Sequence, residues 1–154
     1  MTVLHTWPKH RHTELIVLLG ALTAFAPASI DMYLPALPAV GAAFSAEPGH
    51  VQLSLASFFL GLAIGQAGYG PAADRFGRKR PLYFGLLLFM LGSAGCALAT
   101  SIDMLIVFRF FQALGACSGP VLARAIVRDL FEAREVVRVF SLLLLVMGVA
   151  PVLA

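Results

Sequence analysis

Five long apolar segments constrain the fold of this chain more than any other feature of its sequence. They lie near residues 14–38, 51–71, 81–100, 104–124 and 138–154. An α-helix rises about 1.5 Å per residue, so about 20 residues cross the roughly 30 Å hydrocarbon layer of a membrane. The first four segments are long enough to do so, and the fifth is slightly short. We therefore expect a membrane protein with about five transmembrane helices.

Composition and residue pattern both favour helices in lipid. Hydrophobic residues make up 60% of the chain and charged residues only 12%, whereas a soluble domain averages about 25% charged residues. The apolar runs are continuous rather than alternating, and a backbone in lipid must satisfy its own hydrogen bonds as a helix or as a closed barrel. The sequence therefore predicts an all-α polytopic membrane fold.

The basic residues lie on one side of the predicted membrane. Ten of the 11 lysines and arginines fall in the tail of residues 1–13, in the connection at 72–80, or in the connection at 124–138. The two connections on the other side hold none. Because basic connections stay in the cytoplasm, we expect a cytoplasmic tail at 1–13 and a transmembrane part over 14–154. The same topology accounts for the net charge of +3 without a nucleic-acid partner.

Two charges lie inside the apolar segments. Arg109 is about five residues into the fourth segment, and Gln112 shares its helix face. Asp31 lies about seven residues from the outer end of the first segment, at a depth similar to that of Arg109, roughly 8 to 11 Å below the boundary. Ionisable groups inside membranes usually serve transport. We interpret Asp31 as a protonatable carboxylate beside a cation in a water-filled cavity; a static ion pair is the alternative.

The segment from Gly70 to Pro81 is the most specific in the chain. We predict a cytoplasmic loop here, with a sharp turn at Gly77 and with Asp74 accepting charge-assisted hydrogen bonds from neighbouring arginines or from a helix N-terminus. A basic loop that merely stops membrane transfer would not require Asp74 followed three residues later by Gly77. The candidate functional residues of this segment are Gly70, Asp74, Arg75, Gly77, Arg78 and Lys79.

This segment resembles the signature loop between the second and third helices of major facilitator transporters, G-x-x-x-D-R-x-G-R-[KR]. Arg109-x-x-Gln112 followed by Gly115 resembles the fourth-helix motif of the same family, with Ala113 in place of the usual glycine. The resemblance covers nearly the whole chain in order and spacing.

Three further stretches resemble one branch of that family. Residues 31–38 and 124–130 are similar to drug–proton antiporters of the bicyclomycin and chloramphenicol resistance (Bcr/CflA) branch. Gly148 and Pro151 resemble the start of the fifth-helix antiporter motif, so the chain looks like an N-terminal fragment of such a transporter.

The resemblance implies a twelve-helix fold in which two six-helix halves surround a central cavity. Such a protein exchanges a small-molecule drug for protons by alternating access, in the bacterial inner (plasma) membrane. It also implies that Asp74 and Arg78 latch the cytoplasmic face against the C-terminal half, which this sequence does not contain. No cofactor is implied.

Other functions remain as alternatives. All four histidines, His5, His10, His12 and His50, lie outside the segments, so a membrane enzyme would lack both a base beside a nucleophile and a metal. We therefore expect no enzyme. A symporter or uniporter of a small metabolite from the same superfamily, or a stand-alone five-helix membrane protein without transport activity, stays open; the partial fifth-helix motif favours antiport.

Overall fold

The computed structural model describes residues 9–130 and 140–141 of the chain. Its elements are α1 (Lys9–Asp31), a 3-10 helix (Leu34–Ala36), α2 (Leu37–Phe44), α3 (Pro48–Phe76), α4 (Lys79–Ala97), α5 (Ile102–Ala116) and α6 (Ser118–Leu130). Within these two ranges no strand occurs. The predicted all-α polytopic fold is therefore confirmed.

In the described part of the chain, four helical stretches are long and apolar enough to cross a membrane. They are Glu14–Phe44, Pro48–Phe76, Lys79–Ala97 and Ile102–Leu130. All but two residues of the expected fifth segment, 138–154, fall outside the described residues, as do the motif positions Gly148 and Pro151. The division into a tail and a transmembrane part stays a prediction, although α1 already begins at Lys9.

The first membrane-spanning stretch is interrupted directly after Asp31. Pro35 has no N–H, so the carbonyl of Asp31 lacks its helical donor. The preceding turn also tightens: the Tyr33 N–H donates to the Ile30 carbonyl at 3.0 Å, three residues back rather than four. This step leaves the carbonyl of Ser29 without the backbone donor that a continuous helix would supply. The break thus exposes polar groups in the middle of an apolar segment.

Helix α5 is the centre of the packing. It lies against α3 and α4, whereas α6 carries most of the contact with α1. Ala26, Phe58, Ala113 and Ala116 form a buried cluster where α1, α3 and α5 meet. Large apolar side chains on the outside stay exposed, for example Tyr83 at 68% and Met90 at 66%. Such a surface suits lipid, which solvates apolar side chains without the cost they have in water.

The 70–81 segment is more helical than expected. Residues 70–76 belong to α3 and α4 begins at Lys79, so the predicted loop shrinks to Gly77 and Arg78. A single proline, Pro71, removes one helical hydrogen bond and does not end a spanning helix. The turn itself was placed correctly: Gly77 has φ +79°, a left-handed conformation that favours glycine.

Gly61 lies at a close approach of α3 to α5. A Cβ atom there would stand 2.5 Å from the Phe110 carbonyl oxygen and 2.9 Å from the Ala113 Cβ, whereas a Cβ at Gly68 would meet nothing within 4 Å. We expect Gly61→Leu to reduce the free energy of unfolding by about 1–3 kcal/mol, with little change for the control Gly68→Leu. Unfolding of the purified chain in mixed detergent measures both; equal losses would contradict the close contact.

Candidate functional site

A buried polar network on α5 crosses the apolar interior. The Arg109 and Gln112 side chains lie one turn apart and are 4% and 9% exposed. Arg109 Nη1 donates to Gln112 Oε1 at 2.9 Å, and both Nη atoms reach the Ser29 carbonyl at 3.4 Å. Gln112 Nε2 in turn donates to Ser93 Oγ at 2.9 Å. The network therefore joins α5 to α1 and to α4.

Two aromatic rings enclose the Arg109 guanidinium. Its central carbon lies 3.8 Å from the centroid of the Tyr33 ring and 4.4 Å from that of Phe58. A cation on an aromatic face gains about 2 kcal/mol or more when it is removed from water. The Tyr33 hydroxyl also shares a hydrogen bond with Ser54 Oγ, which ties the break in the first span to α3. Sequence reasoning missed both rings, because they come from separate elements, Tyr33 from the turn after α1 and Phe58 from α3.

The expected partnership of Asp31 with Arg109 is not found. Among residues 9–130 and 140–141, ion pairs form at Arg78 and none joins Asp31 to Arg109. The two rings cover the faces of the Arg109 guanidinium, and Gln112 and Ser29 accept hydrogen bonds from its Nη atoms. Its Nε is buried without a hydrogen-bond partner in the described part. Arg109 is thus stabilised by dipoles and rings rather than by that carboxylate.

Asp31 instead lines a cavity. This space of about 480 Å³ lies between α1, α3 and α6. Its polar lining comes from Thr23, Asp31, Gln66 and Arg124, and its apolar lining from Ala26, Pro27, Ile30, Leu62, Pro120 and Phe140. A largely apolar wall with a few polar groups suits a small organic molecule.

A second polar cluster lies at the α3–α4 turn. Arg78 donates from Nη1 to Asp74 Oδ1 at 2.8 Å and from Nε to Asp129 Oδ2 at 2.9 Å. The hydrogen bond with Asp129, and after it that with Asp74, raises the pKa of Arg78, a side chain that is charged at neutral pH in any case. The turn is thereby tied to the end of α6. Asp129 was not predicted as a site residue, although it lies in the 124–130 stretch that the sequence singled out.

The other candidates in this segment have less defined surroundings. Arg75 and Lys79 are exposed, and the Arg75 guanidinium lies over the Phe76 ring, 5.6 Å from its centroid. A Cβ at Gly70 would meet nothing within 4 Å, so nothing described explains a glycine there. The described ranges hold no group of three side chains able to bind a metal ion.

These features define a multi-pass α-helical membrane protein with a buried charge in its interior and an amphipathic cavity beside it. Comparison with known proteins agrees. The family model of the Major Facilitator Superfamily matches residues 19–154. The chain belongs to this superfamily of transporters, as its motifs indicated.

Several bacterial relatives are similar over most of the chain. The uncharacterized MFS-type transporter YdgK of Bacillus subtilis (strain 168) is 44% identical over 152 residues, which cover 99% of this chain and 38% of YdgK. Multidrug resistance protein MdtL of Escherichia coli (strain K12 / DH10B) is 37% identical over 134 residues, which cover 87% of this chain and 34% of MdtL. The chain thus spans well under half the length of these relatives.

The guanidinium geometry predicts that lysine cannot replace Arg109. A lysine ammonium cannot place a flat face between two rings while reaching both Gln112 and Ser29. We expect Arg109→Lys to lower the free energy of unfolding by about 2 kcal/mol or more. Arg75→Lys, a change at an exposed position, should cost little. Titration of both purified variants with a denaturing detergent provides the comparison, and equal stability would show that the ring enclosure contributes nothing.

A double-mutant cycle tests the cluster at the turn. Exposed ion pairs couple by about 0.2–1 kcal/mol, so Arg78→Gln and Asp129→Asn should be non-additive by that amount. The matched cycle of Lys79→Gln with Asp129→Asn should be additive. Additivity in the first cycle would mean that Arg78 does not hold the end of α6.

Proposed function

We propose that this chain forms the N-terminal part of a proton-coupled exporter of small-molecule drugs in the Bcr/CflA branch, with Asp31 as its proton-exchanging group. The observation that carries the proposal is the position of Asp31. This residue is the last of α1 and lines the cavity. Its carboxylate has no cation within ion-pair distance in the described ranges. A carboxylate in this setting can lose and regain a proton as the contents of the cavity change.

The separate stabilisation of Arg109 supports this role. A carboxylate locked in a buried ion pair would hold its charge, because breaking such a pair is costly. Here Gln112, Ser29 and two rings surround the guanidinium, so Asp31 can change its protonation without leaving Arg109 unpartnered. We therefore assign the two residues separate roles: Arg109 holds the helices together, and Asp31 exchanges the proton.

The proposed exporter has a drug-like substrate, a cytoplasmic N-terminus and a C-terminal half as its partner. MdtL carries the name multidrug resistance protein, and the amphipathic cavity wall suits drug-like molecules. One-sided placement of the basic residues favours a cytoplasmic N-terminus in the inner membrane. The other wall of the cavity would come from a C-terminal half, against which Asp74 and Arg78 would latch the cytoplasmic face.

Proton release on drug binding tests the proposal. The chain is fused to the remaining C-terminal part of YdgK, purified in weakly buffered detergent, and mixed with ethidium or chloramphenicol while a pH dye is followed. We expect the wild-type fusion to release protons and Asp31→Asn to release none. Asp103→Asn, an exposed carboxylate in the first turn of α5, is the control and should behave as wild type.

The sign of the pH change separates the candidate mechanisms. An antiporter loses a proton when the drug binds, whereas a proton symporter gains one, and a uniporter shows neither. Undiminished proton release from Asp31→Asn would overturn the coupling role of this residue, and proton uptake on binding would favour the symporter alternative.

A further inference from the structure

An open groove runs along the outside of the helices, away from the cavity of Asp31. It has a volume of about 600 Å³ and lies between α3 and α4, with Phe111 and Leu114 of α5 at its base. It exists because α3 and α4 both pack on α5 but touch each other little. Its walls are apolar, with Ile64, Phe76, Phe84 and Leu88 among them, and Arg80 lies at one end.

The dimensions of the groove match one leaflet of a bilayer. Along α3 the lining extends from Ile64 to Phe76, a distance of about 18 Å at the helical rise. Half of a hydrocarbon layer measures about 15 Å. The charged end of the groove coincides with the α3–α4 turn, where the membrane-spanning stretches end. A lipid acyl chain lying in the groove would therefore place its headgroup beside that turn.

The positive charge of Arg80 at the α3–α4 turn favours a lipid with an anionic headgroup. The two described acids in this region, Asp74 and Asp129, both form their ion pairs with Arg78. Neither of these two carboxylates is therefore paired with Arg80. Arg80 is exposed and lines the mouth of the groove. A guanidinium binds phosphate through two parallel hydrogen bonds, and basic pockets between transmembrane helices bind anionic lipid headgroups.

We propose that this groove binds an anionic phospholipid, with one acyl chain between α3 and α4 and the phosphate on Arg80. A zwitterionic lipid offers the same acyl chain but less negative charge to the basic turn. A protein helix could cover the exposed rings of Phe76 and Phe84, which are 55% and 62% exposed, but it would leave Arg80 without an anion unless it brought an acid.

Lipid retention on the purified chain tests the proposal. Native mass spectrometry compares binding of phosphatidylglycerol and phosphatidylcholine. One basic side chain near a membrane surface contributes enough for Arg80→Gln to weaken phosphatidylglycerol binding about fivefold. Lys79→Gln removes a neighbouring charge that does not line the groove and should weaken binding less.

A second pair of variants tests the acyl chain. The Cβ of a residue at position 68 would enter open space within the groove, so Gly68→Leu should fill it and reduce phosphatidylglycerol retention. Gly49→Leu adds the same side chain in open space at the other end of α3 and should not. If Gly68→Leu fills the groove, the lipid still retained lies elsewhere on the protein, so Arg80→Gln should not reduce retention further in that background.

Three results would overturn the proposal: equal losses from Arg80→Gln and Lys79→Gln, unchanged lipid binding by Gly68→Leu, or cross-linking to protein. The last is measured with a photoreactive amino acid in place of Leu88, in membranes that contain phosphatidylglycerol. The adduct should have the mass of a phospholipid. An adduct with another protein segment would show that protein covers the groove.

Discussion

The described arrangement of helices depends on the contacts that surround the buried guanidinium of Arg109. A charge at this depth costs at least a few kcal/mol unless dipoles, rings or water surround it. The structure supplies Gln112 from the same helix, the Ser29 carbonyl from α1, and rings from Tyr33 and Phe58. No one helix could provide this set. Stabilisation of the buried charge therefore requires α1, α3 and α5 to pack together.

The break in the first span provides contacts for the buried arginine. The backbone tightens at Tyr33, which frees the Ser29 carbonyl from its helical role, and that carbonyl then accepts from both Nη atoms of Arg109. Tyr33 lies just beyond the break, where its ring can cover the guanidinium. A continuous helix through this region would leave the Ser29 carbonyl bonded to its own backbone. The same break ends α1 at Asp31, beside the cavity.

Much of this architecture could be predicted from sequence, for clear physical reasons. Apolar length alone requires spanning helices, because lipid leaves the backbone few other conformations. Spacing on one helix correctly placed Gln112 beside Arg109, and the need for a positive φ placed the turn at Gly77. These features depend on residues that are close together in the sequence. The contact of Arg78 with Asp74 is local in the same sense, as the two residues lie four positions apart in the sequence, on either side of the turn at Gly77.

Contacts between helices were harder to foresee. Equal depth indicated that Asp31 and Arg109 could be neighbours, but depth does not specify the rotation of a helix about its axis. Tyr33 and Phe58 occupy the faces of the guanidinium instead. Asp129 likewise meets Arg78 across 51 residues of sequence, a separation that no local spacing rule covers. The pairing of charges across helices follows from packing, which a single sequence does not show.

We propose that Asp31 exchanges protons while Arg109 remains held by Gln112, the Ser29 carbonyl and the Tyr33 and Phe58 rings. Infrared difference spectroscopy tests it most directly: the chain in lipid nanodiscs is stepped through acidic and neutral pH, and the band of protonated carboxyl groups is compared between variants. We expect Asp31→Asn to remove one component of this band and the same component to persist in Arg109→Lys. An identical band in wild type and Asp31→Asn would show that Asp31 does not exchange protons and would rule out its proposed coupling role.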